Sequence, residues 1–229
     1  MINVKLNNSL TIPIIGLGTF PMKSFELFKA VYYALRSGYT HFDTASAYGN
    51  ERALGFSLNA LKLFGLTEQR FITTKLSNND QKQGDVRKSL LRSMSRLNVK
   101  NVDLYLMHWP YPETYLDSWK QMEGLYQEGL VKAIGVCNFH QHHLEQLLEI
   151  ATVFPAVNQI ELHPLISQSK LRYFCENSGI ALEAYSPVAR MDPKLIKNKV
   201  LLEISRKYNK TVPQVIFRWD IQHGIITIP

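Results

Sequence analysis

Eight short runs rich in apolar and β-branched residues recur along the chain: IPIIGLGT, THFDTA, RFITTKL, VDLYLMHW, VKAIGVCN, PAVNQIEL, IALEAYSP and GIITIP. Between them lie amphipathic segments such as SFELFKAVYYALRSG, with apolar positions at helical spacing. Runs this apolar suit strands covered on both faces, and strands joined by helices pair in parallel. Eight such units point to a (β/α)8 TIM barrel, because closing the sheet removes both exposed edges. The expectation is one barrel domain over residues 1–229, with an open doubly wound sheet as the alternative. Ser24 is the expected N-cap of the first helix and Gly38 its stop, Asp85 caps a later helix, and Pro213 sits in the first turn of TVPQVIFRWDIQHG. The opening LNNSL turns back as a small hairpin that plugs the barrel's bottom.

Several function classes drop out early. No run approaches the roughly eighteen apolar residues of a membrane span, and MINVKLNNSL lacks the apolar core of a signal peptide. The reading is a cytoplasmic, monomeric protein with no membrane partner. Cys137 and Cys175 lie far apart without a C-x-x-C partner, which fits free thiols. The net charge of +7 favours an anionic partner. Its main concentration, Lys88, Arg92 and Arg96, forms one stripe of a helix whose other side carries Val86, Leu90, Leu91, Met94 and Leu97, so it reads as a solvated outer face. No aromatic-rich basic motif argues for nucleic acid. The HQHH cluster at 140–143 opens an amphipathic helix, and no carboxylate or cysteine completes a metal ligand set.

A barrel of this kind gathers its chemistry where strands end and βα loops begin. Asp43 ends the second run, Tyr48 follows in its loop, Lys75 ends the third and His108 the fourth. An ammonium beside a phenol favours the phenolate and lowers its pKa, and a carboxylate keeps a half-buried ammonium charged. Lys75 and Asp43 suit those roles. His108 then orients a carbonyl oxygen to which Tyr48 gives a proton. Taken singly, each residue has a plain structural use, as a loop cap, rim aromatic, surface lysine or core histidine; their joint placement favours carbonyl reduction by an external hydride donor.

These residues carry a family likeness. From GLGT at 16–19 to ITIP at 226–229 the chain resembles the aldo-keto reductases, through FDTASAYGNE, ITTKL, LYLMHWP, IGVCNF, VNQIELHP and AYSP in family order. The short connection HWPYPETYLDSW is similar to the bacterial branch that includes 2,5-diketogluconate reductases. The resemblance implies reduction of a small aldehyde, ketone or keto sugar with NADPH, NADH being left open. It implies Asp43, Tyr48, Lys75 and His108 as catalytic residues. It sets Asn138 and Gln159 on the nicotinamide carboxamide, Tyr185 against the ring, Gly18 and Thr19 in the cofactor cleft, and the loop from Ser186 through Pro187 and Val188 to Arg190 near the pyrophosphate. Phe20, Trp109 and Tyr111 resemble the apolar wall of the substrate pocket. The GLG run itself lacks the third glycine and the following capped helix of a dinucleotide fingerprint.

Two departures qualify the likeness. Cys137 stands where the family commonly has Ser, and a thiol is the weaker hydrogen-bonding group. Family members also continue past the eighth strand, with phosphate-holding residues, further helices and a tail, whereas this sequence stops at Pro229. The expectation is therefore a barrel lacking its last helices and tail. A truncated, impaired homologue that binds a cofactor or partner without turnover is the alternative, and a Schiff-base aldolase acting through Lys75 ranks last.

Overall fold

In the computed structural model, which describes residues 2–66 and 69–229, the chain opens as a hairpin of β1 (Asn3–Lys5) and β2 (Thr11–Pro13), antiparallel with Val4 opposite Ile12. The turn is held by Leu6 N–H on Leu10 O at 2.8 Å and by Leu10 N–H on Asn8 Oδ1 at 3.1 Å. Asn7 and Asn8 donate their side-chain amides to Pro155 O and Lys132 O, at 3.0 and 2.9 Å. Leu6 and Ile12 are buried with Phe71, Leu104, Leu106, Val157 and Ile226. The hairpin thus stops the bottom of the barrel, as the LNNSL turn predicts.

Eight parallel strands follow in sequential order: β3 (Leu17–Gly18), β4 (His41–Asp43), β5 (Phe71–Leu76), β6 (Leu104–Met107), β7 (Ile134–Cys137), β8 (Val157–Glu161), β9 (Ala181–Tyr185) and β10 (Ile226–Ile228). The seam between β10 and β3 closes through Gly16 N–H on Thr227 O, Gly18 N–H on Pro229 O and Thr227 N–H on Ile14 O, at 3.0, 2.9 and 2.9 Å. Closeness at this seam dictates two glycines. A Cβ on Gly16 would lie 2.5 Å from His41 Nδ1, and one on Gly18 3.2 Å from the backbone oxygens of Ile228 and Pro229. The run IPIIGLGT does not form one strand. It is divided between β2 and β3, because the chain must leave the hairpin before it joins the barrel.

Helices α1 (Ser24–Arg36), α2 (Glu51–Leu63), α3 (Asn78–Gln83), α4 (Val86–Leu97), α5 (Tyr115–Gln127), α6 (Gln141–Ile150), α7 (Ser169–Asn177), α8 (Pro193–Ile196), α9 (Lys199–Tyr208) and α10 (Val212–Gln222) surround the strands. Asp85 caps α4 by accepting from Lys88 N–H at 2.9 Å, and Thr211 with Gln214 forms a capping box around Pro213 at the start of α10. Gly38, at φ +85°, stops α1 as expected, but Ser24 is not its cap. A turn closed by Met22 N–H on Thr19 O leaves Lys23 extended at that position, with no side-chain cap. On α4, Val86, Leu90, Met94 and Leu97 are buried while Leu91 is 45% exposed. The basic stripe does more than face solvent: Arg92 pairs with Asp80, and Arg96 reaches the buried Glu51 at 3.3 Å. Among the described residues no helix is long and apolar enough to cross a membrane.

Helix α2 is firmly anchored. Its Leu54, Leu58 and Leu61 are buried with Leu27 and Val31 of α1, Phe42 of β4 and Leu97 of α4. Each such leucine contributes about 1.5–3 kcal/mol relative to exposure. The burial thereby fixes the helix that begins directly after the loop bearing Tyr48.

Candidate active site

The loop between β4 and α2 is rigidly built. Asn50, 1% exposed, donates to Thr19 O and Met22 O, both at 3.0 Å, and accepts from Thr44 Oγ1 at 2.7 Å. Ser46, which opens the 3-10 turn Ser46–Tyr48, donates to Lys75 O at 2.9 Å, and Glu51 accepts from Thr74 Oγ1 at 2.7 Å. Buried polar groups with all partners in place hold a single geometry, because any slip leaves one unpaired. Small and polar residues in DTASAYGNE therefore serve to fix Tyr48 above the end of β5.

The four expected catalytic residues come together. Lys75, fully buried on β5, donates to Asp43 Oδ1 at 2.5 Å and Thr44 O at 3.0 Å, and its Nζ lies 3.5 Å from Tyr48 Oη. Burial works against the ammonium, but Asp43 and its hydrogen bond outweigh it and the net shift is upward, so Lys75 stays charged. His108 stands edge-on to the Tyr48 ring, with centroids 5.6 Å apart. Burial, helped by the Lys75 charge, lowers its imidazole to about 3, so it is neutral and one ring nitrogen carries a hydrogen to donate.

Tyr48 departs from expectation in one respect. Burial pushes its phenol up, and this exceeds the downward pull of Lys75, so the net value is about 12 rather than below the ordinary 10.0. The phenol is held as an acid, and Lys75 limits how weak an acid it is.

These groups face a cavity of about 340 Å³ at the C-terminal mouth of the barrel. Gly18, Thr19, Phe20, Trp109, Asn138, Gln159, Tyr185 and Ser186 line it as expected, and Lys75 lies beneath Asp43 and Tyr48. Phe20 and Trp109 form an apolar rim, 62% and 48% exposed. Tyr185 Oη donates to Asn138 Oδ1 at 2.8 Å, and Asn138 Nδ2 donates to His108 O at 3.0 Å and to Cys137 Sγ at 3.2 Å. Asn138 and Ser186 adopt left-handed backbone, at φ 64° and 48°, a strained conformation for a residue with a side chain.

Three expected residues lie outside the wall. Tyr111, whose backbone N–H donates to Trp109 O at 2.8 Å, is not among the residues that line the cavity. Pro187 is buried behind Ser186, and Val188 packs instead against the cluster of Leu195, Val212 and Ile216. Arg190, Cys137, Ile228 and Pro229 complete the wall. Glu183, two residues before Tyr185 and so on the same strand face, is fully buried directly below it and is absent from the residues expected on sequence. Its only signal there is a lone acid within the apolar run IALEAYSP.

The sequence profile of the Aldo/keto reductase family matches residues 14–229. The chain is 44% identical over 228 residues to glyoxal reductase of Bacillus subtilis, covering 99% of this chain and 81% of that protein. It is 42% identical over 229 residues to methylglyoxal reductase DkgA of Escherichia coli, covering 99% and 82%. Among solved structures, MGS-M4, an aldo-keto reductase enzyme from a Medee basin deep-sea metagenome library, superposes with a TM-score of 0.94 at 40% identity, covering 99% of this chain and 83% of that one. The aldo-keto reductase AKR2E5 complexed with NADPH gives 0.92 at 36% identity, covering 100% and 78%.

Proposed function

The chain belongs to the aldo/keto reductase family, and we propose that it reduces a small aldehyde or ketone, of which a 2-oxoaldehyde is the leading candidate, with NADPH as cofactor and Tyr48 as proton donor. The substrate class rests on the relatives named glyoxal and methylglyoxal reductase. The cofactor rests on the neighbour complexed with NADPH. The single observation that carries the role of Tyr48 is its hydroxyl on the cavity wall, 3.5 Å from an ammonium that is itself paired to a carboxylate.

The residues present fit a nicotinamide. Gly18 lines the cleft, Tyr185 offers a ring face pinned by its bond to Asn138, and Gln159 lines the cavity with its amide oxygen uncommitted except for a thiol 3.6 Å away. Bound there, the dihydronicotinamide supplies the hydride that a carbonyl carbon accepts. The chain's own residues do the rest. His108 donates an N–H to the carbonyl oxygen and orients it, and Tyr48 transfers its hydroxyl proton there as negative charge develops. Lys75 stabilises the phenolate left behind, while Asp43 keeps Lys75 charged despite its burial. Phe20 and Trp109 shield the mouth.

Purified protein given methylglyoxal should consume NADPH, and Tyr48→Phe should reduce that rate at least a hundredfold, the usual order for removing a positioned acid. Unchanged turnover by Tyr48→Phe would remove the assignment.

A further inference from the structure

Beneath the cavity two buried carboxyl groups meet one amide. Gln159 Nε2 donates to Asp43 Oδ2 at 2.9 Å and to Glu183 Oε1 at 2.5 Å. An amide nitrogen carries two hydrogens, so both are spent. The register of the barrel enforces the meeting, since Glu183 stands directly opposite Gln159 in the β8–β9 ladder. We propose that Glu183 is a positioning residue for the reduction: by taking one Gln159 amide hydrogen while Asp43 takes the other, it fixes that amide so its carbonyl oxygen, an acceptor only, faces the nicotinamide carboxamide.

The arrangement answers what a bare carboxyl is doing in a barrel interior. Asp43 and Lys75 already neutralise each other, so a second carboxylate would leave net negative charge in a dry core. Burial, with Asp43 adding to it, raises the Glu183 carboxyl to about 8, so it is neutral at pH 7. The groups facing it are Asp43 from β4, Lys75 from β5, the Cys137 thiol from β7 and Gln159 from β8. Its Oε2 has no partner among the described residues, which places the proton there and leaves Oε1 as the acceptor. Without Glu183, one Gln159 hydrogen loses its acceptor. The amide is then held by Asp43 alone and can swing about that one bond, so its carbonyl oxygen is no longer fixed toward the carboxamide N–H.

The positioning role rests on the nicotinamide reading, and the test separates the two. Binding of NADP+ and of its 3-acetylpyridine analogue, in which a methyl replaces the carboxamide nitrogen, is measured by quenching of tryptophan fluorescence in wild type, Glu183→Leu and Glu183→Gln. Glu183→Leu should weaken NADP+ roughly tenfold, the loss of one oriented hydrogen bond. It should leave the analogue's affinity unchanged, because the analogue has no N–H to give. Glu183→Gln, which keeps an acceptor oxygen, should restore NADP+ binding. Equal weakening of both cofactors, or of neither, in Glu183→Leu overturns the positioning role and leaves Tyr48's role standing. A wild-type protein that binds neither cofactor overturns the functional reading itself, and the positioning role with it.

Discussion

Replacing Lys75 by Met removes a charge and keeps the length of the side chain, so it isolates what the ammonium does for Tyr48. With Nζ 3.5 Å from Tyr48 Oη, a full charge on the phenolate is stabilised by about 5 kcal/mol at an effective dielectric near 20. A proton half transferred at the transition state halves this to about 2–3 kcal/mol, and full transfer brings all of it, so kcat should fall by roughly two to three and a half powers of ten. The variant also leaves Asp43 buried without its cation, which costs about 3–5 kcal/mol of stability. Asp43→Asn/Lys75→Met removes both charges and should melt closer to wild type while remaining as slow. The assay is NADPH consumption at saturating methylglyoxal, with thermal melts on the same preparations. A folded Lys75→Met protein within about fivefold of wild-type kcat would refute the electrostatic argument.

Buried groups elsewhere give three more expected outcomes. The folded value of Glu183, about 8, lies above its ordinary 4.5, so its contribution to stability is complete below pH 4.5 and declines as pH rises to 8; the melting temperature of Glu183→Gln relative to wild type should climb across that window and then level off. His41 and His108 are lowered from 6.5 to about 3, so they contribute stability above pH 6.5 that is lost as pH falls toward 3. Reduction should then show no inflection near 6.5, and one that vanishes in His108→Gln would mean that the imidazole titrates. Gly16→Ala sets a Cβ 2.5 Å from a buried His41 ring and should cost about 1–3 kcal/mol, read by urea denaturation; an unchanged midpoint would show that the seam yields freely.

The barrel was legible because its evidence is local and repeated. Each apolar run marks a strand, and the residues that end those runs, Asp43, Lys75 and His108, lie where strand ends converge. Local signals failed where the chain's path depends on a neighbour. Ser24 looks like a cap, but the turn at Thr19–Met22 moves the cap position to Lys23. Arg92 and Arg96 look solvated until α4 lies beside Asp80 and Glu51. Pro187 and Val188 follow Tyr185 and Ser186 in sequence, yet a loop entered through left-handed backbone at Ser186 points them elsewhere. The net acidity of Tyr48 is a balance between burial and one ammonium, and burial is a property of the assembled site. Glu183 needs the ladder register to be seen as a partner of Gln159.

The seam at Gly16 and Gly18 joins positions separated by nearly the whole chain, and Gly18 is also part of the cleft. Contacts of such long sequence separation are slow to form because the largest loop must close first. In refolding, recovery of catalysis should therefore trail recovery of helical signal, and enzymatic turnover becomes a reporter of circular closure rather than of secondary structure.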